Sequence, residues 1–369
     1  MPTVVHLTNV HPSNDVRIFV KECQSLANAG YQVKLIAPLI EGHRSDCVDL
    51  IPLSKSPHRF LRMLSTWKVL KLAVKQRAQI YHFHDPELIP VGIALKFLGK
   101  KVVYDVHENV RLSILSRDYL KPWIRIPLSW IVRGAEKVGG WLFDGLAVAT
   151  PSIGKQFYPA KILLLQNYPL LDELQQSEGR GYHQRAEQIC YLGWISKHRG
   201  AFEMCEAARL VADKRKDFKF VMAGDTQEEP LRSYLRNSYW GSSTNFLGFV
   251  NRSEAQALLN SSRMGLLLFH PEPNHLESQP TKIFEYMIAG LPVIASDFPQ
   301  WRSLINRINC GLVVNPLDPE SIARAIHYLL DNPQEADSMG QRGRAYVMAH
   351  CHWEQEVKGL IHLYEKILA

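Results

Sequence analysis

Residues Glu277-Ser278-Gln279-Pro280-Thr281-Lys282-Ile283-Phe284-Glu285-Tyr286-Met287-Ile288-Ala289-Gly290-Leu291-Pro292-Val293-Ile294-Ala295-Ser296-Asp297 read as loop, helix, tight turn and buried strand. Pro280 and Thr281 are helix-start signals, and Ile283, Phe284, Met287 and Ile288 recur at helical spacing. Gly290 is the C-terminal stop. Leu291 to Ala295 is a short apolar run suited to a strand buried on both faces. A helix that opens after a loop presents free backbone N–H groups and the positive end of its dipole, which is a seat for phosphate. Lys282 adds a cation that the dipole alone disfavours, and a bound anion accounts for it. Glu285 lies one turn further in, within reach of a sugar's hydroxyls, and Glu277 lies in the loop before.

Outward from this stretch, the chain alternates strand and helix. Thr3 to Thr8 reads as a strand, and Val16, Phe19, Val20, Cys23, Leu26 and Ala27 form a helical face that Gly30 closes. Gln32 to Ala37 is the next strand, so a parallel sheet with right-handed crossovers is expected. The loop His11 to Arg17 contains no glycine and is not a dinucleotide fingerprint. Asp15 and Arg17 are candidates for acceptor or donor contacts, with a helix N-cap and a surface arginine as the alternative. Gln79 to Glu87 and Lys101 to Glu108 each run from strand into helix. Both therefore place histidines at carboxyl ends of parallel strands, where open α/β sheets bind ligands. His82 and His84 share one strand face. His84 and Asp85 are expected to form a hydrogen-bonded pair that shapes the site. Glu87 and Glu108 equally fit first-turn helix acids.

Gln166 to Pro169 reads as a hinge, and the polar stretch Asp172 to Gln188 places the domain boundary there. The second half repeats the rhythm with strands at Gln188–Leu192, Phe218–Ala223, Thr244–Val250 and Met264–Phe269. A last helix, Trp353 to Leu368, closes the chain. Two basic aromatic segments stand out, residues 57 to 77 and Lys121 to Trp141. The second carries Trp123, Trp130 and Trp141 beside Arg125, Arg133 and Lys137. Such faces suit the headgroups of an anionic bilayer, and equally a core helix with a solvated basic edge.

The 369 residues are long enough for two domains, and 46% apolar and 21% charged residues are those of a globular protein. No run reaches the roughly 18 apolar residues that span a bilayer. The opening strand leaves no room for a signal peptide, and six scattered cysteines suit free thiols in a reducing cytosol. A net charge of +7 permits anionic partners without choosing among them.

Two glutamates seven residues apart, the second opening Glu-Tyr-Met-x-x-Gly-x-Pro-Val-Ile, resemble the donor-site motif of family-four retaining glycosyltransferases of the GT-B fold. His-x-His-Asp-Pro-Glu at 82–87 and Tyr-Asp-Val-His-Glu at 104–108 resemble a bacterial surface-polysaccharide branch of that family. The resemblance implies two Rossmann-like α/β domains facing across a cleft. These would be an acceptor domain (1–166, with helix 353–369 packing back on it) and a nucleotide-sugar domain (170–350). It implies transfer from a nucleotide diphosphate sugar to a lipid-linked saccharide or surface-polysaccharide precursor, with retention. It assigns His107 to the donor sugar, Glu277 to its hydroxyls and Glu285 to the ribose. Arg199, Lys197, Thr281 and Lys282 fall on the diphosphate; Gly224, Phe249 and Val250 fall on the base.

The loop Gly193 to Gly200 departs from the family in one place. Trp194 stands where an arginine usually follows the first glycine, Arg199 takes the lysine's role, and Lys197 is placed to compensate. Family members need no metal, so no cofactor is expected. Nucleic acid is not expected as a partner, and the location implied is the cytoplasm, peripheral on the inner face of the membrane. Still open are an inverting GT-B enzyme, a nucleotide-sugar epimerase, and a metal-dependent hydrolase built on His82, His84, Asp85 and His107. A basic nucleic-acid-binding α/β protein is a further alternative, without a recognition motif to support it.

Overall fold

The computed structural model describes residues 1–54, 59–116, 120–171, 181–236 and 243–369, with the backbone alone at 59–65 and 236. The start of the basic segment at 57–58, and most of the polar boundary stretch (172–180), lie outside the described residues.

The chain divides into two compact units, Met1–Asn167 with Trp353–Ala369, and Tyr168–His352. The first holds β1 (Thr3–Leu7), β2 (Gln32–Pro38), β3 (Val48–Leu53), β4 (Ile80–Phe83), β5 (Lys101–Val106), β6 (Gly145–Val148) and β7 (Ile162–Leu164). They form one parallel sheet in the order β3-β2-β1-β4-β5-β6-β7. The second unit holds β8 (Gln188–Leu192), β9 (Lys219–Ala223), β10 (Thr244–Gly248), β11 (Met264–Leu267), β12 (Val293–Ser296) and β13 (Gly311–Val314). Their order is β10-β9-β8-β11-β12-β13, all parallel. Strand order reverses between β1 and β4 in one unit and between β8 and β11 in the other. A doubly wound sheet opens its ligand crevice at such a point.

Local signals explain the elements that frame these crevices. The Asp15 carboxylate accepts from the N–H groups of Arg17 and Ile18, so the N-cap reading of Asp15 holds. The helical segment Val16–Cys23 is wound as a π-helix and runs on into an α-helix, Gln24–Asn28. Helix Thr281–Ile288 ends in a Schellman turn. Gly290, at φ 69°, donates to Met287 O, and Leu291 donates to Tyr286 O. That turn uses Leu291 and Pro292, so β12 begins at Val293, two residues later than the apolar run suggests. Val48–Leu53, not foreseen as a strand, is the edge of the first sheet, where Pro52 costs no ladder bond.

Helix Trp353–Leu368 belongs to the first unit. Trp353 Nε1 donates to Lys21 O at 3.1 Å and to Ser25 Oγ at 2.9 Å, and buried Tyr364 reaches His82. In the second unit, apolar side chains fill both faces of the sheet. All six cysteines are free. Among the described residues, no helix is long and apolar enough to cross a membrane.

Candidate active site

At the second unit's switch point, the loop after β8 meets the start of helix Thr281–Ile288. Pro280 occupies the N-cap and no side chain caps the helix, so its first-turn N–H groups keep their donor capacity. The Lys282 side chain lies over Gly193. A methyl group built on Gly193 would collide with Lys282 Cε and sit 2.7 Å from Nζ, and the glycine has φ 121°. The loop returns through Gly200, at φ 71°, whose α-carbon faces the Leu268 carbonyl too closely for any side chain. Between them, Arg199 lies 5.1 Å from the Phe269 ring centre and donates to Trp194 O at 3.4 Å. Trp194 is thus part of the loop's scaffold through its carbonyl, which also accepts from Tyr191 Oη at 2.7 Å. Lys197 is exposed on the same loop.

Glu277 caps the short helix Pro273–Leu276 at its C-terminal end and is exposed. Glu285 is half-buried. The nearby charge on Glu285 supports the Arg252 guanidinium, whose pKa burial lowers. Gly224 N donates to Gly248 O at 2.7 Å, tying β9 to β10. Phe249 beside it is 84% exposed, while Val250 packs against the core.

The first unit's switch point is built differently. Asp105, on β5, is fully buried and accepts Arg17 Nη2 at 2.8 Å and Nε at 3.1 Å. It also takes His107 Nε2 at 2.7 Å and His84 Nδ1 at 3.2 Å. Burial alone would raise the Asp105 carboxyl, but the Arg17 charge and these bonds hold it well below the usual range. An ionised carboxylate only accepts, so both histidines donate to it. His84 Nε2 then accepts from His6 Nδ1 at 2.9 Å. His6 Nε2 faces Tyr364 Oη at 3.4 Å, and Tyr364 Oη meets His82 Nδ1 at 2.6 Å. One carboxylate therefore sets the tautomers of a buried chain. Burial lowers His6, His82 and His84 alike, which keeps all three neutral. Of the two histidines that Asp105 holds, only His107 reaches the surface, with 21% of its side chain exposed.

Glu22, His82, His84 and Asp105 bring ligand atoms within 4.8 Å of one another, the donor set of a metal site. Arg17 already stands there, 3.3 Å from Glu22 and paired with Asp105. Burial and the Asp105 charge push Glu22 well up, leaving it a neutral acid. The site's single carboxylate charge is thus balanced.

Several expectations change. Arg17 is not a surface arginine but is buried in this ion pair. His84 and Asp85 are not each other's partners: His84 bonds Asp105 and His6, whereas Asp85 accepts from Thr8 Oγ1 and Asn9 N, both at 2.7 Å. Asp85 thereby shapes the loop after β1. Glu108 precedes the Asn109 N-cap and is no first-turn acid, while Glu87 is one. Three residues were not foreseen. Asp105 shares the alternation of His107 along β5, a signal present in Asp-Val-His. His11 bonds Asp15 at 3.1 Å and stands 5.7 Å from His107, ring to ring. Arg252 opens the helix after an Asn251–Glu254 capping box, which marks its position in the sequence.

The profile for Glycosyl transferases group 1 matches residues 174–346, and that for Glycosyltransferase Family 4 matches residues 17–138. The chain thus carries a group 1 glycosyltransferase domain in its second unit and a family-four glycosyltransferase domain in its first. Over 304 residues, it is 23% identical to a glycogen synthase of Mycobacterium tuberculosis, covering 80% of this chain and 71% of that one. It is 24% identical to the 2-deoxystreptamine N-acetyl-D-glucosaminyltransferase of Niallia circulans over 168 residues, 44% of this chain and 42% of the relative. The chain thus spans less than half the length of that relative.

Whole-chain likeness is clearest in solved structures. Sucrose-phosphate synthase of Thermosynechococcus elongatus superposes with TM-score 0.74 at 17% identity, over 100% of this chain and 99% of the other. Anabaena HepE in complex with UDP and glucose gives 0.72 at 13% identity, over 99% of each. These likenesses establish the GT-B fold of the chain, with its two parallel-sheet α/β domains.

Proposed function

We propose that this glycosyltransferase moves a sugar from a nucleotide diphosphate sugar to a saccharide acceptor, with retention of configuration. The observation that carries the reading is the uncapped start of helix Thr281–Ile288, with Lys282 lying over Gly193 and Arg199 in the same loop. Negative charge develops on the departing nucleoside diphosphate as the glycosidic bond breaks. Backbone N–H groups at Thr281 and Lys282, with the side chains of Lys282 and Arg199, would stabilise it, and Lys197 would add charge at the rim. Glu285 would hold the ribose, Glu277 the hydroxyls of the donor sugar, and Phe249 and Val250 the base beside Gly224. His107, oriented by Asp105, would contact the sugar. Asp15, Arg17, His84 and Asp85 would act behind it by shaping and charging the first unit's pocket.

The reaction is proposed to need no metal, because Arg17 supplies the cation among the first unit's acids. A lipid-linked saccharide, a precursor of a surface polysaccharide, is the proposed acceptor, met on the cytoplasmic side of an anionic membrane. The structural neighbours support the donor class, since HepE was crystallised with UDP-glucose.

The test is calorimetry with a panel of nucleoside diphosphates and their sugars, followed by NMR of the product's anomeric configuration. Binding of a nucleoside diphosphate that Glu285→Ala weakens, in a variant that stays folded, is the expected result. Absence of any nucleoside diphosphate binding, or wild-type turnover in Glu285→Ala, defeats the reading.

A further inference from the structure

Helix Pro122–Leu142 in the first unit is turned inside out. Its buried positions are Ser129, Glu136, Gly139 and Gly140, while Trp123, Trp130 and Trp141 are 70%, 56% and 75% exposed. At about 100° per residue, spacings of seven and eleven return the three tryptophans to within roughly 20° of one line, running about 27 Å along the axis. The opposite face packs closely because it lacks side chains: a methyl group on Gly139 would sit 2.6 Å from the Phe143 ring. An amphipathic helix of a water-facing domain buries its large apolar groups, and this one presents them.

Charge accompanies the stripe. The helix carries Arg125, Arg133 and Lys137, and its one acid, Glu136, is buried. Arg111 stacks on Trp130 with its guanidinium 4.2 Å from the ring centre. Helix Ile89–Phe97 packs against this helix and against helix Arg59–Lys75. It ends in Phe97, 83% exposed, and Leu98, 55% exposed. Helix Arg59–Lys75 contains no acid and exposes Trp67 among Lys68 and Lys71.

We propose that these three helices form a docking surface for an anionic lipid bilayer, on which helix Pro122–Leu142 lies flat with its tryptophans at headgroup depth. Indole rings beside cations are the composition that such an interface selects. A second copy of the chain would bring like charges together on this face. The helix is not apolar enough to cross the bilayer. The proposal stands on the surface chemistry of the first unit and not on the transfer reaction, so donor binding measured on the same sample separates the two.

The experiment is flotation of the full-length protein with vesicles of phosphatidylcholine containing about one third phosphatidylglycerol, and with phosphatidylcholine alone. The wild type should float with the anionic vesicles, be released at high salt, and bind the neutral ones weakly. The triple variant Trp123→Ser/Trp130→Ser/Trp141→Ser changes only exposed side chains. It should keep the wild-type melting temperature and lose roughly tenfold or more of the vesicle affinity. Wild-type protein that stays in the lipid-free fraction overturns the proposal, as does a folded triple variant that floats equally well. A wild-type dimer that this variant converts to monomer, seen by light scattering, would assign the face to self-association and overturn it too.

Discussion

Arg17→Met tests whether one guanidinium holds the first unit's polar centre together. Arg17 makes two bonds to Asp105, at 2.8 and 3.1 Å, a third to Leu165 O at 3.1 Å, and faces Glu22 at 3.3 Å. Methionine keeps much of the apolar stem and removes the charge. Asp105 would remain a buried carboxylate facing only the protons of His84 and His107. Removing one partner of a buried pair costs about 3–5 kcal/mol. At about 2–4 °C per kcal/mol for a unit of this size, the melting transition of the first unit should fall by roughly 6–20 °C. Asp105→Asn in the Arg17→Met background relieves the unpaired charge, so the double variant should cost less than the two single changes together. The pH dependence has a definite sign. The folded-state pKa of Asp105 is depressed, so its ion pair contributes stability above the ordinary carboxylate range that is lost as pH falls through the folded value. The gap between wild type and Arg17→Met should therefore begin to narrow below about pH 4 and close only as pH falls through the depressed folded value. Calorimetric scans of the four proteins across pH provide the measurement. A loss under about 1 kcal/mol for Arg17→Met, or strict additivity in the cycle, would refute the reasoning.

Other changes probe other links. Glu136 is buried, and burial raises its carboxyl to about 7 from 4.5, against the bond from Tyr104 Oη at 3.3 Å. Folding then favours its protonated form, so its penalty is absent below the unfolded value, grows as pH rises from about 4.5 to about 7 and levels off above, on the order of 3 kcal/mol. Glu136→Gln should raise the melting temperature at pH 8 and leave it nearly unchanged at pH 4.5; equal effects at both would contradict this. Gly200→Ala forces a left-handed backbone, about 1–2 kcal/mol, and adds the collision with Leu268 O, so the second unit's transition should fall while the first unit's stays put. Lys282→Ala should weaken binding of the nucleoside diphosphate that the wild type takes up roughly ten- to hundredfold, the value of a charge-assisted contact, without changing the melting temperature of the ligand-free protein, as titration calorimetry would register.

Much of this is legible in the sequence alone. Pro280, Thr281 and Gly290 marked both ends of the helix at the second switch point because capping is local and each signal lies within a turn of its effect. Alternating strand and helix led to two parallel sheets for the same reason. The first unit's polar centre was not legible, since its parts come from β1, β4, β5, a π-wound helix and the last helix of the chain. Nothing near Glu22 or Tyr364 in sequence says that they meet His82. The period of two did place His82 and His84 on one face, and their rings stack 4.8 Å apart. It could not say that His84 would turn to Asp105 and not to its neighbour Asp85. The Lys121–Trp141 segment shows the limit from another side. Its pattern was plain, but whether the tryptophans faced core or solvent depended on which side carried Gly139 and Gly140.

The two switch points share a strand order and differ in how charge is handled. In the first unit the protein supplies both signs itself: Arg17 answers Asp105, Glu22 is neutral, and the three buried histidines are neutral. An added ion gains little there, because it would have to displace a cation already bonded at 2.8 Å. In the second unit the protein leaves charge unanswered: a helix start without a side-chain cap, with a lysine placed over a glycine at φ 121°. Like charge gathered at a helix N-terminus is unfavourable in an empty site and becomes favourable when an anion arrives. The polar centre of one unit is therefore built to hold its shape, and on the proposed function the other would take up a diphosphate. Added salt should accordingly compete with a nucleoside diphosphate at the second unit while leaving the melting transition of the first nearly unmoved, since buried pairs are screened far less than exposed cations.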